Sequence, residues 1–327
     1  MNLLMCIGKW FVASGLALLL AAPGQAQEAF PSRPVRLIVG FGAGGITDVL
    51  ARLLSVELQK SWGQPVVVDN KPGASGVIGS ELTARAAPDG HVLLVVPGTH
   101  TIVPGLRTKM PFDAVKDFTA ITLLASAPNM LVVNAETPLR SVADYIAAAR
   151  AKPGEINYAT SGIGTTVHIA GERLAHLTGL RLNHIPYKGS SQSIEAVVAG
   201  QVMSSWSAVN AALPHIKTGR VRALAVASEK RSSFAPDVPT FEELGIKGMK
   251  SDTWLGVLAP PGMAPALAAR LNADLVRLMA RSDFRDKVLA LGAEPVAGVE
   301  LEKFAALMKE EVESYAVIIR AANIKPE

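Results

Sequence analysis

The sequence predicts an α/β protein with two cores and largely parallel sheets. Three observations lead there. From residue 35 onward, β-branched runs alternate with segments of helical period. The 301 residues that follow a leader-like start usually divide between two cores. A hydrophobic content of 49% is ample to fill both.

Residues 1–26 read as an export signal. Lys9 is the one charge, and the apolar core over 10–22 is too short for a bilayer span of about 20 residues. Gly24-Gln25-Ala26 offers a small-x-small cleavage site, and Cys6 precedes the apolar core, unlike a lipoprotein cysteine. Cleavage after Ala26 leaves 327 − 26 = 301 residues without cysteine, which excludes disulfide and thiol chemistry. The leader holds one lysine and no acid, so the remaining balance is 31 basic against 28 acidic residues, a net +3. The basic residues are scattered and aromatics make up 5%, which excludes a nucleic-acid-binding stripe.

The first element pair organises the chain. Val35, Leu37, Ile38 and Val39 form a buried-strand run, and Gly40, Gly42, Gly44 and Gly45 follow it. Ile46, Val49, Leu50, Leu53, Leu54 and Leu58 then recur at helical spacing. A strand, a glycine turn and a helix start gather free N–H groups and the helix dipole at one point, which makes an anion site. Gly40, Gly42 and Gly45 also fit G-x-G-x-x-G, with Asp69 in the place of a ribose-binding acid 24 residues on. Two features oppose a dinucleotide: Asp48 would meet a pyrophosphate with like charge, and an exported chain rarely encounters a nicotinamide cofactor.

Further strands are predicted at 66–68, 92–96, 121–124, 130–133, 156–159, 202–206, 223–227 and 254–258. Helices are predicted at 76–87, 141–151, 167–178, 191–199, 264–281, 282–291 and 301–322. The apolar runs 121–133 and 253–261 read either as core strands or as segments crossing between two domains as a hinge. The stripe Phe304, Leu307, Met308, Val312, Tyr315 and Ile319 reads as core packing.

Catalytic and metal patterns are missing. The six histidines show no H-x-x-x-H spacing, and Gly73-Ala74-Ser75-Gly76-Val77 breaks G-x-S-x-G at its last position. Polar turns at strand ends are abundant instead, and ligands of open parallel sheets sit beyond the carboxyl ends of strands. One turn holds Thr99 and His100. A second runs from Thr160 through Ser161, Gly162, Gly164 and Thr165 into the helix of His168. A third holds Tyr187, Lys188 and Gly189. With the 40–48 loop they offer N–H groups, hydroxyls and one lysine, the chemistry of a carboxylate site. Each also has a plainer reading: helix cap for the second turn, buried helix histidine for His168, solvated lysine for Lys188, and dipole partner for Asp48.

The chain resembles the exported substrate-binding proteins of tripartite tricarboxylate transporters, the TctC or Bug family. The resemblance rests on Pro31-Ser32-Arg33-Pro34-Val35-Arg36, Phe41 to Asp48 with Ala51-Arg52, and Asp69-Asn70-Lys71-Pro72-Gly73-Ala74-Ser75-Gly76. It continues through Ala86-Ala87-Pro88-Asp89-Gly90, Ser161-Gly162-Ile163-Gly164 and Ile185-Pro186-Tyr187-Lys188-Gly189. Leu213-Pro214-His215-Ile216, Arg222-Ala223-Leu224-Ala225-Val226 and Pro236-Asp237-Val238-Pro239-Thr240-Phe241-Glu242-Glu243 complete it, across essentially the whole mature chain.

This resemblance implies a two-domain periplasmic binding protein of the Venus-flytrap, type II-like kind, with a mainly parallel sheet in each domain. Domain 1 would comprise 27–125 with 254–327 and domain 2 would comprise 126–253, the ligand lying between them. By resemblance, Phe41, Gly42, Ala43, Gly44, Gly45, Thr47 and Asp48 grip a carboxylate, partly through waters. Thr99, His100, Ser161, Gly164, Thr165, His168, Tyr187, Lys188, Gly189 and Ser207 complete the cleft. The implied protein is a periplasmic monomer, not an enzyme and without cofactor or metal, that takes a di- or tricarboxylate, aromatic acid or similar anion. It would serve membrane transporter subunits or a sensor; the alternative is a nucleotide-binding-fold enzyme using Gly40 to Gly45. Two departures stand out. Gly40 and Ala43 replace prolines of the family's Pro-Phe-x-Pro-Gly-Gly loop, which loosens it. Met203 and Ser207 stand where family members often carry acids, which favours ligands without an amine.

Overall fold

The structure, a computed structural model, describes residues 30–296 and 298–324. The chain divides into a unit over Met1–Ser32 and a unit over Arg33–Glu327. The predicted leader, with Cys6 and Lys9, lies outside the described residues; the architecture that follows is that of the second unit.

Strands and helices alternate as the sequence patterns require. The order begins β1 (Val35–Val39), α1 (Ile46–Trp62), β2 (Val66–Asn70), α2 (Val77–Ala84), β3 (Val92–Pro97), a single-turn α3 (Thr99–Ile102) and a 3-10 segment, Val103–Leu106. It continues with β4 (Thr119–Asn134), α4 (Val142–Ala151), β5 (Asn157–Thr160), α5 (Thr166–Thr178), β6 (Asn183–Pro186) and α6 (Ser190–Val198). β7 (Ser204–Ala208), α7 (Val209–Lys217), β8 (Val221–Val226), β9 (Asp252–Ala259), α8 (Pro265–Ala280), α9 (Ser282–Ala290), β10 (Glu294–Pro295) and α10 (Leu301–Ala321) complete it.

Eight strands follow one path, β2-β1-β3-β9-β4-β7-β5-β6, with β8 and β10 branching from β4, which belongs to both halves of the sheet. In the first half β2, β1 and β3 are parallel neighbours, and β9 runs antiparallel between β3 and β4. In the second, β6, β5 and β7 are parallel, and β7 and β8 flank β4 antiparallel to it. Strand direction is therefore mainly shared within each half, with β9 and β10 reversed in one and β4 in the other. The predicted parallel sheets hold in this sense, and the antiparallel pairs are confined to the crossing.

β4 explains that crossing. It has 16 residues, roughly 50 Å at about 3.3 Å each. Thr119 to Pro128 pair with β9, and Asn129 onward pair with β7 and β8. Pro128, which has no N–H to give, sits where the partners change. The sequence reading split this strand at Ser126, Pro128 and Asn129; the structure keeps it whole because the partner switch removes the ladder bond a proline would break. At the same level Asn129 N–H donates to Ser251 O (3.3 Å), Ser251 N–H to Ala227 O (2.7 Å) and Ala227 N–H to Asn129 O (2.7 Å).

Each half has its own core. Leu131, Val133, Tyr145, Tyr158, Leu174, Trp206 and Phe241 are buried together under α4 and α5, while Met130, Val132, Ile194, Val197 and Val209 fill the opposite face under α6 and α7. In the first half Ile38, Leu94, Val96, Trp254 and Leu258 pack with Phe304 and Met308 of α10, so the C-terminal stripe is core, as expected. α10 also meets α5: Tyr315, Ile318 and Ile319 pack with Ile102 and Ile169.

Candidate functional site

The loop after β1 is built around Asp48. Its carboxylate accepts from Gly44 N–H (2.9 Å), from Arg52 Nε (2.9 Å) and Nη2 (3.0 Å), and from Asn70 Nδ2 (2.9 Å). Asn70 Nδ2 also donates to Phe41 O (3.1 Å), so the end of β2 fastens the loop at both sides. Asp48 is 2% exposed. The Arg52 guanidinium, helped by Gly44 N–H and Asn70, pulls its carboxyl down to about 2 against the cost of burial. Asp48 is therefore a clamp whose charge is already answered.

Around that clamp the loop presents donors. Gly42, Ala43, Gly44 and Gly45 are exposed, and Gly45, the N-cap of α1, supplies no side-chain cap. The N–H groups of Ile46 and Thr47 thus open α1 with its dipole behind them. Gly44 has φ +87°, which a residue with Cβ resists. A Cβ on Gly40 would come 2.8 Å from Gly76 Cα, so this departure from the family proline accompanies a close backbone approach. The loosening expected from losing two prolines is countered by Asn70 and Asp48, which tie the loop from outside.

The turn after β3 lies beside it, because β1 and β3 pair directly through Val39 and Val95. Thr99 Oγ1 is enclosed and has no partner among the described residues. His100 faces the other way. Its Nε2 contacts Ala114 O at 2.9 Å and its Nδ1 contacts Ser80 Oγ at 3.3 Å, within a ring cluster with Phe112 and Phe118. Burial pushes its pKa down to about 4. His100 is thus a core residue with both nitrogens occupied, a correction to its expected place in the cleft.

In the other half the loop after β5 has a matching construction. Thr165 caps α5, its Oγ1 accepting from His168 N–H (3.3 Å) while donating to Gly162 O (2.8 Å). Gly164 N–H donates to His168 Nδ1 (3.1 Å), and Gly162 and Gly164 have φ +134° and +74°. His168 is 3% exposed and stacks on His184 with centroids 3.9 Å apart. His184 Nε2 in turn contacts Thr160 Oγ1 at 2.6 Å. Burial lowers His168 to about 3 and His184 to about 4, so both rings are neutral near pH 7. The plainer readings of Thr165 as a cap and His168 as a buried helix histidine are what the structure displays.

The neighbouring strand ends follow. Tyr187 N–H donates to Thr160 O (3.0 Å), holding the third turn against the second. Lys188 is exposed, and Gly189 opens α6 without a side-chain cap. Ser207 is 1% exposed and its Oγ donates to Ala208 O (3.3 Å), so its hydroxyl is spent inside β7.

Contacts between the halves occur beside these loops. A Cβ on Gly164 would lie 2.3 Å from Leu106 Cδ1, which places the second-half loop against the segment that follows Thr99. Within residues 126–253, Thr166 Oγ1 and Thr253 Oγ1 are 2.6 Å apart and Ser251 Oγ donates to Thr166 O (3.1 Å), fastening the head of α5 to the start of β9. Sequence reasoning named the loops but gave no site role to Arg52, Asn70 and His184, which hold them. Arg52 was readable from its i+4 spacing to Asp48. No group of three or more metal-ligating side chains occurs among the described residues.

Comparison with known proteins gives consistent relatives. Residues 50–324 match the family described as "Tripartite tricarboxylate transporter family receptor". The chain is 35% identical to Protein BugT of Bordetella pertussis, covering 99% of this chain and 98% of that one. Among solved structures, the periplasmic binding protein BugD is 31% identical with a TM-score of 0.71, covering 91% and 100%. Rpa4515 of R. palustris with adipate is 31% identical, TM-score 0.74, covering 91% and 100%. MatC of Rhodopseudomonas palustris with bound malate is 32% identical, TM-score 0.71, covering 89% and 100%.

Proposed function

The chain belongs to the tripartite tricarboxylate transporter receptor family, and we propose that it is a periplasmic solute-binding protein that captures a small organic carboxylate. The two halves of the sheet act as two lobes, residues 27–125 with 254–327 and residues 126–253, closing on the ligand. Phe41, Gly42, Ala43, Gly45 and Thr47 receive one carboxylate, with Asp48 ordering them from behind through its hold on Gly44 N–H. Thr99, Ser161, Gly164, Thr165, Tyr187, Lys188 and Gly189 line the rest of the cleft. The residues at 1–26 direct export. The protein acts as a monomer, performs no catalysis and hands its ligand to membrane transporter subunits.

One observation carries this reading. The entrance to α1 presents N–H donors beside an acid that is already held by Arg52, Asn70 and Gly44. Such a site offers attraction to an anion without a free carboxylate to repel it. Adipate and malate in the two R. palustris relatives are the same class of ligand.

The test is thermal unfolding of the cleaved protein against a panel of carboxylates, amino acids and NAD. A ligand present at 100 times its Kd adds about 2.7 kcal/mol of stability, a visible rise in midpoint. Stabilisation by one carboxylate class is the expected result. Stabilisation by none of them would overturn the reading.

A further inference from the structure

We propose that His168 is a positioning residue for ligand capture: from the first turn of α5 it hooks the Gly164 N–H, as Asp48 hooks Gly44 from α1, and so fixes which N–H groups of the 161–165 loop remain open to an anion. The capture part rests on the carboxylate reading above; the hook does not.

The two halves repeat one device. In each, a glycine of positive φ precedes the N-cap, and the side chain four positions on returns to accept that glycine's N–H. The segments are Gly44-Gly45-Ile46-Thr47-Asp48 and Gly164-Thr165-Thr166-Val167-His168. The hook resembles a capping box moved one residue outward, since the N3 side chain reaches past the N-cap to the residue before it. Its effect is to close one N–H and turn the backbone so that its neighbours face outward.

The two hooks differ in charge for a reason visible one turn further on. Asp48 has Arg52 at i+4, which answers its carboxylate. His168 has Glu172 at i+4, with its Nε2 3.8 Å from Glu172 Oε1. Glu172 also accepts from Tyr158 OH, and the rings of Tyr158, His184 and His168 form one stack. An acid at 168 would stand beside Glu172 on the floor of an anion site, while the cation of that turn, Arg173, is directed away to Ser314 and Gly248 O. An imidazole supplies the same acceptor without that charge. Because Gly164 N–H donates to Nδ1, the ring's own proton sits on Nε2, toward Glu172.

Two variants of the full cleaved protein separate this role from simple packing. His168→Asn keeps an acceptor near the Nδ1 position, and Asp48 demonstrates that a side chain of that length reaches at this spacing. His168→Leu fills similar space without an acceptor. Amide exchange at Gly164 and affinity for adipate and malate are measured for each. The expected result is a protected Gly164 and near-native affinity for His168→Asn. For His168→Leu we expect fast exchange at Gly164 and roughly tenfold weaker binding, the ratio one hydrogen bond can set. Equal exchange and affinity in the two variants, with both folded, would overturn the proposal. If the native protein binds no carboxylate of the panel above, the carboxylate reading fails, while Gly164 exchange still decides the hook.

Discussion

Replacing Asp48 with asparagine tests the loop clamp most directly. Asp48→Asn keeps the side chain's shape but removes the charge that Arg52, Gly44 and Asn70 hold. The carboxyl sits at about 2 instead of its ordinary 3.8. That difference, at 1.36 kcal/mol per pKa unit, corresponds to about 2.4 kcal/mol at most. Arg52's side chain is 54% exposed, so water screens the pair and about 1–2 kcal/mol is the realistic contribution. The sign follows from linkage. A depressed folded pKa gives stability that is full above the unfolded pKa near 4 and disappears as pH falls toward 2. Urea unfolding of both proteins should therefore differ by about 1–2 kcal/mol at neutral pH and converge as the medium is acidified below about pH 4. Asp48→Ala, which removes the acceptor as well as the charge, should also lower carboxylate affinity, since Gly44 N–H is then released. A difference that stays constant across the acid range would refute the reasoning, because an uncharged contact would then account for it.

Three further outcomes are expected. Gly164→Ala introduces a Cβ 2.3 Å from Leu106 Cδ1 at φ +74°, and equilibrium unfolding should record a loss of about 1–3 kcal/mol; a neutral variant would contradict the contact between the halves. Gly171→Ala should gain about 1 kcal/mol from helix propensity, yet its Cβ meets the Tyr158 ring at 2.3 Å, so a net lowering of the melting midpoint is expected and a net rise would show the ring free to move. Asp252 is only half-buried as a residue, but its Oδ1 is enclosed without a partner among the described residues, and burial raises its carboxyl to about 7 against the pull of Lys250. With the folded pKa above the unfolded one, its contribution to stability falls as pH rises from about 4 to about 7; Asp252→Asn should remove that fall and be about 1–3 kcal/mol more stable at about pH 8, whereas parallel pH profiles would exclude it.

Much of the fold could be read from periodicity because the elements bury one face each. α1 shows it best: Leu50, Leu54 and Leu58 are buried as the spacing requires, and Gly63 ends the helix in the left-handed region. Two elements escaped that reading. β6 runs Asn-His-Ile-Pro, exposed at both ends, so it is held by pairing with β5 and not by an apolar run. α7 has the spacing of Val209, Ala212, Leu213 and Ile216, but Pro214, a helix breaker by local preference, interrupts it; the helix forms because Val209 and Ala212 are buried in the core. The candidate site divides in the same way. Which loops gather at strand ends follows from alternation, since parallel strands put their carboxyl ends together. Which face of a loop a side chain takes does not. His100, His168 and Ser207 look equivalent to Thr99 in sequence, yet their polar atoms are engaged inside the protein while the Thr99 hydroxyl is left without a partner among the described residues. Asn70, 22 positions from Asp48, becomes part of the clamp only through the pairing of β1 with β2.

The glycine pattern that suggested a dinucleotide is decided by the same clamp. A pyrophosphate needs the N–H groups of the glycine turn free to donate. Here Gly44 N–H is given to Asp48, so the turn has already spent one of those donors. The acid that would receive a ribose hydroxyl, Asp69, is held by Arg36 and by Lys71 at 3.1 Å. Both requirements fail for separate reasons, so restoring one should not create binding. NAD should leave the melting midpoint unchanged in the native protein and in Asp48→Asn alike. A rise with NAD in the native protein would show that the loop opens its glycine N–H groups to phosphate despite Asp48, and the anion that belongs there would have to be reconsidered.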